Sequence, residues 1–194
     1  MKPFLIPLCA ALALTVLSAC STKTLLTVNV DADSFVAVKD RTGSVPTGVG
    51  GTLDYRFPDD DGDAVANNDL NGVSLSLTSL KILESAKLSV TISLNTSATG
   101  GLELFIAPNS TVNIYQSQYR VLQSTNTTGQ DFKADVSLSA NASDPAKAQA
   151  FNAIQSGAFR IGAHLQGTAA PGSSIVYTLK DISVSASGYL IKAF

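Results

Sequence analysis

Tryptophan is absent from the sequence, histidine occurs once (His164), and the only thiols are Cys9 and Cys20. A zinc or copper site needs three or four histidine and cysteine ligands, so that chemistry has no donor set here. Charge is also scarce: Asp, Glu, Lys and Arg make up 14% of the chain, and the formal net charge is −2. Apart from Lys2, the lysines and arginines are scattered singly between Lys23 and Lys192. Nucleic acid is therefore excluded as a partner, because binding it requires a concentrated basic patch.

Catalytic side chains are equally sparse. His164 falls on the polar phase of the segment Phe159 to Leu165, beside Arg160, Gly162 and Gln166. The expectation is a surface histidine, since no acid or nucleophile stands within local reach of it. Glu84 and Glu103 are the one carboxylate pair that suggests glycoside hydrolysis, but they lie 19 positions apart, on wet phases or at strand ends, with no tryptophan to stack on a sugar ring. The expectation is that the chain is not an enzyme, a carboxylate-dependent hydrolase being the weakest alternative.

The one long apolar run lies at the N-terminus. Lys2 is followed by Phe4 to Leu17, nearly all apolar or small, and then by Ser18, Ala19 and Cys20. As a helix these 14 residues span about 21 Å, short of the roughly 30 Å hydrocarbon core, so an export signal is favoured over a permanent transmembrane span. Cleavage after Ala19 discards Cys9 and leaves Cys20 an odd thiol with no disulfide partner. Leu17, Ser18, Ala19 and Cys20 resemble the lipobox of bacterial lipoproteins, in which signal peptidase II recognises the residues before the cysteine and the cysteine is lipidated. The resemblance implies a signal peptide at 1–19, a lipidated N-terminus and short tether at 20–24, and a palmitate-type membrane anchor at Cys20 in the cell envelope. Ser21 in the next position, rather than aspartate, implies the outer membrane where the organism has one. The mature chain of 175 residues then has 12 basic and 15 acidic residues, net −3. That length suits one domain, 25–194, with a sizeable core.

Two-residue alternation dominates that domain. Leu88, Val90, Ile92 and Leu94 alternate with Ser89, Thr91 and Ser93, and Phe132, Ala134, Val136 and Leu138 alternate with Lys133, Asp135 and Ser137. This is the pattern of a strand with one buried and one wet face. Further strands are predicted at Leu25 to Val30, Thr52 to Phe57, Val73 to Leu77, Leu102 to Ile106, Val112 to Tyr115, Phe159 to Leu165, Ile175 to Leu179, Ile182 to Ala186 and Tyr189 to Ala193. Many short strands between Gly, Asn, Pro and Ser clusters predict an all-β fold, an antiparallel β-sandwich with a β-barrel as the alternative. The segment 144–156 departs from this: Asp144 suits an N-cap, Pro145 the first helical position and Gly157 the left-handed cap, predicting one short helix with Ala150, Phe151 and Ile154 as its apolar stripe. Asp40 to Gly51, Pro58 to Gly72 and Gly167 to Ser174 are predicted loops. The wet faces are filled with serine, threonine and asparagine more than with charge.

Within the second of those loops, Asp59, Asp60, Asp61, Gly62 and Asp63 are followed by Asn67, Asn68 and Asp69. Five acids in eleven residues repel one another unless solvent or a cation relieves them, and calcium is the hard cation that suits such oxygen-rich loops. The run resembles the Asp-x-Asp-Gly-Asp calcium loops of dockerin and thrombospondin type 3 repeats, which implies Asp59, Asp61, Asp63, Asn67 and Asp69 as candidate ligands for Ca2+. It departs from them at Ala64, where a second glycine is usual, and at Leu70, where a bidentate acid is usual; a solvated acidic connection is the competing reading.

Together these features predict a lipid-anchored, non-catalytic binding or structural module that supports another envelope protein or a polysaccharide. The alternative is a carrier of an apolar ligand, held between the sheets beneath the 144–156 helix.

Overall fold

A computed structural model describes residues 25–36, 41–47, 49–57, 72–76, 83–123, 127–172 and 174–189. Nine strands are formed: β1 (Leu25–Asp31), β2 (Thr42–Pro46), β3 (Thr52–Phe57), β4 (Val73–Ser76), β5 (Leu83–Pro108), β6 (Arg120–Gln123), β7 (Thr127–Ser139), β8 (Ala158–Thr168) and β9 (Ser174–Tyr189). Among the described residues there is one α-helix, α1 (Pro145–Ser156), between β7 and β8. All pairings are antiparallel, in the order β1-β9-β5-β8-β3, with β2 on β9, β4 on β8, and β6 and β7 on β5. The sheet is not closed into a barrel, and the fold is all-β and sandwich-like.

β5 organises this sheet. The predicted strands at Leu88 to Leu94 and Leu102 to Ile106 are one strand of 26 residues. Its first half pairs with β9 and β7, and its second half pairs with β8 and β6. The register against β7 shifts between Ser93 and Ala98. At that break the Asn95 side chain accepts a hydrogen bond from the Val176 N–H at 2.9 Å, so backbone groups freed from the ladder find a partner. One half-sheet thus comprises β1, β2, β9 and the start of β5 and β7, and the other comprises β3, β4, β6, β8 and the end of β5.

The two halves bury their apolar faces in one core, which takes Leu88, Val90 and Ile92 from the first half and Leu53, Phe57, Leu104 and Ile161 from the second. Phe57 of β3 meets Tyr177 of β9 edge to face, with ring centroids 4.7 Å apart. Such aromatic pairs contribute beyond the area they bury. Helix α1 forms as its capping residues require. The Asp144 carboxylate accepts from the Ala146 N–H at 2.9 Å, and Gly157 adopts a left-handed φ of 81°, conformationally costly for any residue with a Cβ. Its stripe of Ala150, Phe151 and Ile154, joined by Ala153, is buried.

Three local expectations are corrected. Thr42–Pro46, read as loop because of its Gly and Pro, is strand β2, stabilised by its long-range partner Ile175–Thr178 on β9. The segment Val112 to Tyr115 is not a strand: Val112 is 78% exposed, and alternation over four residues proves too short to distinguish a strand from an extended loop. Finally, strict alternation fails in the second half-sheet, where Leu102 to Ala107 of β5 and Ile161 to Leu165 of β8 are buried on both faces.

The cause of that double burial is a strap formed by residues 109–119, which crosses the outer face of the second half-sheet. It is tied at its start by the Arg160 Nε–H donating to the Asn109 carbonyl at 2.9 Å and midway by the Tyr115 hydroxyl donating to the Phe57 carbonyl at 2.9 Å. Ile114 packs with Phe105 and Ala107 in a second, smaller apolar cluster. Gly162 makes this approach possible, since a Cβ there would lie 2.5 Å from the Ile114 δ-methyl and 2.7 Å from the Tyr115 hydroxyl.

The wet face of the first half-sheet carries a contrasting, exposed network. Ser89 donates to Asp135 across β5 and β7, with Lys87 and Lys133 each 3.4 Å from that carboxylate. The Ser89 hydroxyl, and behind it Lys133 and Lys87, hold the Asp135 carboxyl below its ordinary 3.8. A lowered folded value means that the contribution is present above that ordinary value and is lost as pH falls through the folded one.

Three outcomes follow from this architecture. Val90→Asp or Val136→Asp, each placing an unpaired charge in the core, costs on the order of 4 kcal/mol or more, whereas Ser137→Ala changes stability by less than about 0.5 kcal/mol; urea titration separates the two sets. Gly162→Ala lifts the strap and exposes Tyr115 and Tyr119 to chymotrypsin, while Gly129→Ala, where the added carbon meets nothing within 4 Å, leaves the digestion pattern unchanged. Ser89→Ala moves the Asp135 titration, followed by carboxyl NMR, upward toward 3.8.

Candidate functional site

The strap covers one edge of a polar row that crosses four strands of the second half-sheet. On β8, His164 stands in register with Arg56 of β3 on one side and Glu103 of β5 on the other. Asp54 lies two residues before Arg56 on the same face of β3 and reaches diagonally to the imidazole. His164 Nε2 is 2.5 Å from Asp54 Oδ1, and Nδ1 is 3.3 Å from Glu103 Oε2. Glu103 Oε1 accepts from Arg120 Nη1 at 2.7 Å. The result is a continuous chain, Asp54–His164–Glu103–Arg120, with the Gln166 side-chain nitrogen 3.5 Å from His164 Nε2.

Burial grades along this chain. The side chains of His164 and Glu103 are 9% and 10% exposed, Arg120 is 37% exposed and Asp54 is 72% exposed. The Tyr115 ring closes the site, edge-on to His164 at 6.3 Å and to Phe105 at 5.1 Å between centroids. The Arg56 guanidinium lies over the Tyr115 ring at 5.4 Å, a cation–π contact that adds attraction to the strap's seat. Next to Asp54, Tyr55 points the opposite way, into the core; burial first, and then the Asp54 carboxylate, push its hydroxyl up to about 12.

His164 and Glu103 are thus buried, where surface positions were expected. The physical reason is the strap: period-two alternation identifies the outer phase of a strand, but only the long-range seating of 109–119 decides whether that phase meets water. Glu103 also does not join Glu84, which is exposed near the start of the same strand. The partners of Glu103 are instead separated from it by 61 and 17 positions, and Asp54 lies 110 positions from His164. No local spacing encodes such a set. Composition gives no signal either, since the wet face of the first half-sheet also carries charges such as Lys87, Lys133 and Asp135.

Chemically, the row is a hydrogen-bonded chain of two carboxyl groups, one imidazole and one guanidinium. A neutral imidazole offers one N–H, so satisfying both flanking carboxylates takes an imidazolium or a proton on one carboxyl. The hydrogen-bond partners of His164 are two carboxylates and an amide, with no hydroxyl or thiol among them for the imidazole to activate. The space between Asp54 and Glu103 is filled by the imidazole, where a glycosidase needs room for substrate. His164 and Glu103 are the enclosed members, and removing either leaves the other buried without its partner, so the cluster clasps β3, β5, β6 and β8 together.

The other predicted site residues lie outside the described residues: Leu17, Ser18, Ala19 and Cys20 of the lipobox, and Asp59, Asp61, Asp63, Asn67 and Asp69 of the acidic loop. Among the described residues, no three His, Cys, Asp or Glu side chains are grouped so as to hold a metal ion. No helix of the described residues is long and apolar enough to cross a membrane.

No family model matches the chain, and no curated protein matches it. Among solved structures, a chain of infectious bursal disease virus Gt strain is similar at 10% identity over 88% of this chain and 33% of that one, with a TM-score of 0.39. A chain of the Gx strain of that virus is 8% identical over 89% of this chain and 39% of its own length, with a TM-score of 0.31. A CBM4 structure is 15% identical over 72% of this chain and 96% of that one, with a TM-score of 0.28. The chain therefore spans about a third of the length of the first viral chain it resembles. Likeness of this order assigns neither a family nor an activity.

Proposed function

We propose that the protein is a bacterial lipoprotein of the cell envelope, anchored through lipid on Cys20, whose β-sandwich is a non-catalytic module that binds or supports another envelope component. The single observation that carries this reading is the order Lys2, the apolar run Phe4 to Leu17, and Leu17-Ser18-Ala19-Cys20, in a chain whose other cysteine is lost with the signal. Two or three acyl chains at about 0.8 kcal/mol per buried methylene hold a protein stably where one holds it marginally, so the domain needs no spanning segment to remain at the membrane. The non-catalytic part of the reading is supported by the wiring of the polar row. Its one histidine is committed to two carboxylates, and Glu103 is committed to His164 and Arg120. The partner of the module is an envelope protein or polysaccharide, and the outer membrane is its place where the organism has one.

Cys20→Ala tests the anchor. The expected outcome is loss of labelling by a radioactive or clickable fatty acid, accumulation of uncleaved precursor that retains Met1 to Ala19, and loss of the mature chain from the membrane fraction. A wild-type mature N-terminus without lipid mass contradicts the proposal.

A further inference from the structure

The pairing register gathers four strand ends of the first half-sheet at one rim. Leu25 stands opposite Tyr189, Leu83 opposite Gly188, and Ser85 opposite both Ser187 and Ser139. The chain enters β1 at this rim and leaves β9 there. Five residues, 20 to 24, join the acylated cysteine to Leu25, and fully extended they reach about 18 Å at most. Along β9, the opposite rim at Val176 lies eleven residues from Ser187, about 36 Å at 3.3 Å per residue. A link half that length holds the Leu25–Tyr189 rim closest to the anchor in any arrangement that keeps the strands upright.

From this geometry we infer that the Leu25–Tyr189 rim is a membrane-facing surface whose partner is the phospholipid headgroup layer. The inference rests on the lipid anchor proposed above. The chemistry at the rim suits such a partner. Thr27, Ser187, Ser85 and Ser139 form a row across four paired strands, with the Thr27 and Ser187 hydroxyl oxygens 3.1 Å apart. Hydroxyls both donate and accept, as the phosphate, glycerol and amine groups of a headgroup layer require, and they shed water at less cost than ions do. The exposed charges beside the row, Glu84 and Lys87, are opposite in sign, so the rim fits a zwitterionic surface. The consequence is directional: β5 carries the sheet away from the bilayer, and the far rim, with β2 and the β5 break at Asn95, is left to a partner in the envelope.

The test uses the full mature lipoprotein in phosphatidylcholine vesicles containing a spin-labelled headgroup lipid that quenches fluorescence. Because the thiol of Cys20 is acylated, single cysteines placed by Ser85→Cys, Ser139→Cys, Val176→Cys and Thr128→Cys each take one fluorophore. The expected result is quenching at 85 and 139 that exceeds quenching at 176 and 128 by about twofold or more, since the two rims differ in height by roughly the length of a strand. Equal quenching at all four sites means that the sandwich lies flat, and stronger quenching at 176 and 128 means that it is inverted; either overturns the inference while leaving the anchor in place. Vesicle flotation separates that failure from the failure of the anchor: a mature protein that does not float overturns both readings.

Discussion

Everything in this fold depends on the pairing of one strand. β5 is hydrogen-bonded directly to β6, β7, β8 and β9, and the remaining strands reach the sheet only through β9 or β8. Its apolar residues, Leu88 to Leu94 on one half and Leu102 to Ile106 on the other, supply a continuous buried strip to both walls of the core. Because side chains alternate with a period of two, a slip of one residue in β5 would turn that whole strip outward in every neighbouring pairing at once. The break at Ser93–Ala98 is therefore confined to a few residues, and Asn95 satisfies backbone groups there.

The same strand links the two faces of the molecule to different chemistries. On the first half-sheet the outer positions remain wet and are filled with serine and threonine, and ion pairs such as Lys87 to Asp135 are exposed and weak. On the second half-sheet the strap removes water from His164 and Glu103, and these two groups depend on each other. Glu103 is bracketed by Arg120 and His164, and His164 by Glu103 and Asp54. A buried ion pair is a poor source of net stability compared with apolar packing, yet it penalises every arrangement in which one member is missing. The clasp thus specifies how β3, β6 and the strap seat on β5 and β8 more than it strengthens the fold.

The apolar core is extended at two places: α1 adds Phe151 and Ile154 to it, and the strap adds the satellite cluster around Ile114. If Cys20 carries the lipid proposed above, the five residues 20 to 24 that lead into β1 make the orientation of the half-sheets relative to the bilayer a property of the fold.

The sequence by itself determined the features that depend on short-range order. The all-β class and the facing of Leu88 to Leu94 and of Phe132 to Leu138 follow from period-two alternation, because a half-buried strand repeats its environment every second residue. Helix α1 and both of its ends follow from Asp144, Pro145 and Gly157, because a cap is decided by the few backbone groups beside it. What only the tertiary structure decided depends on partners far away in the chain. β2 forms against a strand more than a hundred positions later, the two predicted segments of β5 become one strand because β7 pairs with it on both sides of the break, and Asp54, Glu103, Arg120 and His164 meet only when β3, β5, β6 and β8 are in register. Whether an outward-pointing residue meets water is likewise a tertiary matter. His164 and Glu103 occupy the polar phase as their spacing indicates, and they are buried because Gly162 lacks the side chain that would keep the strap away.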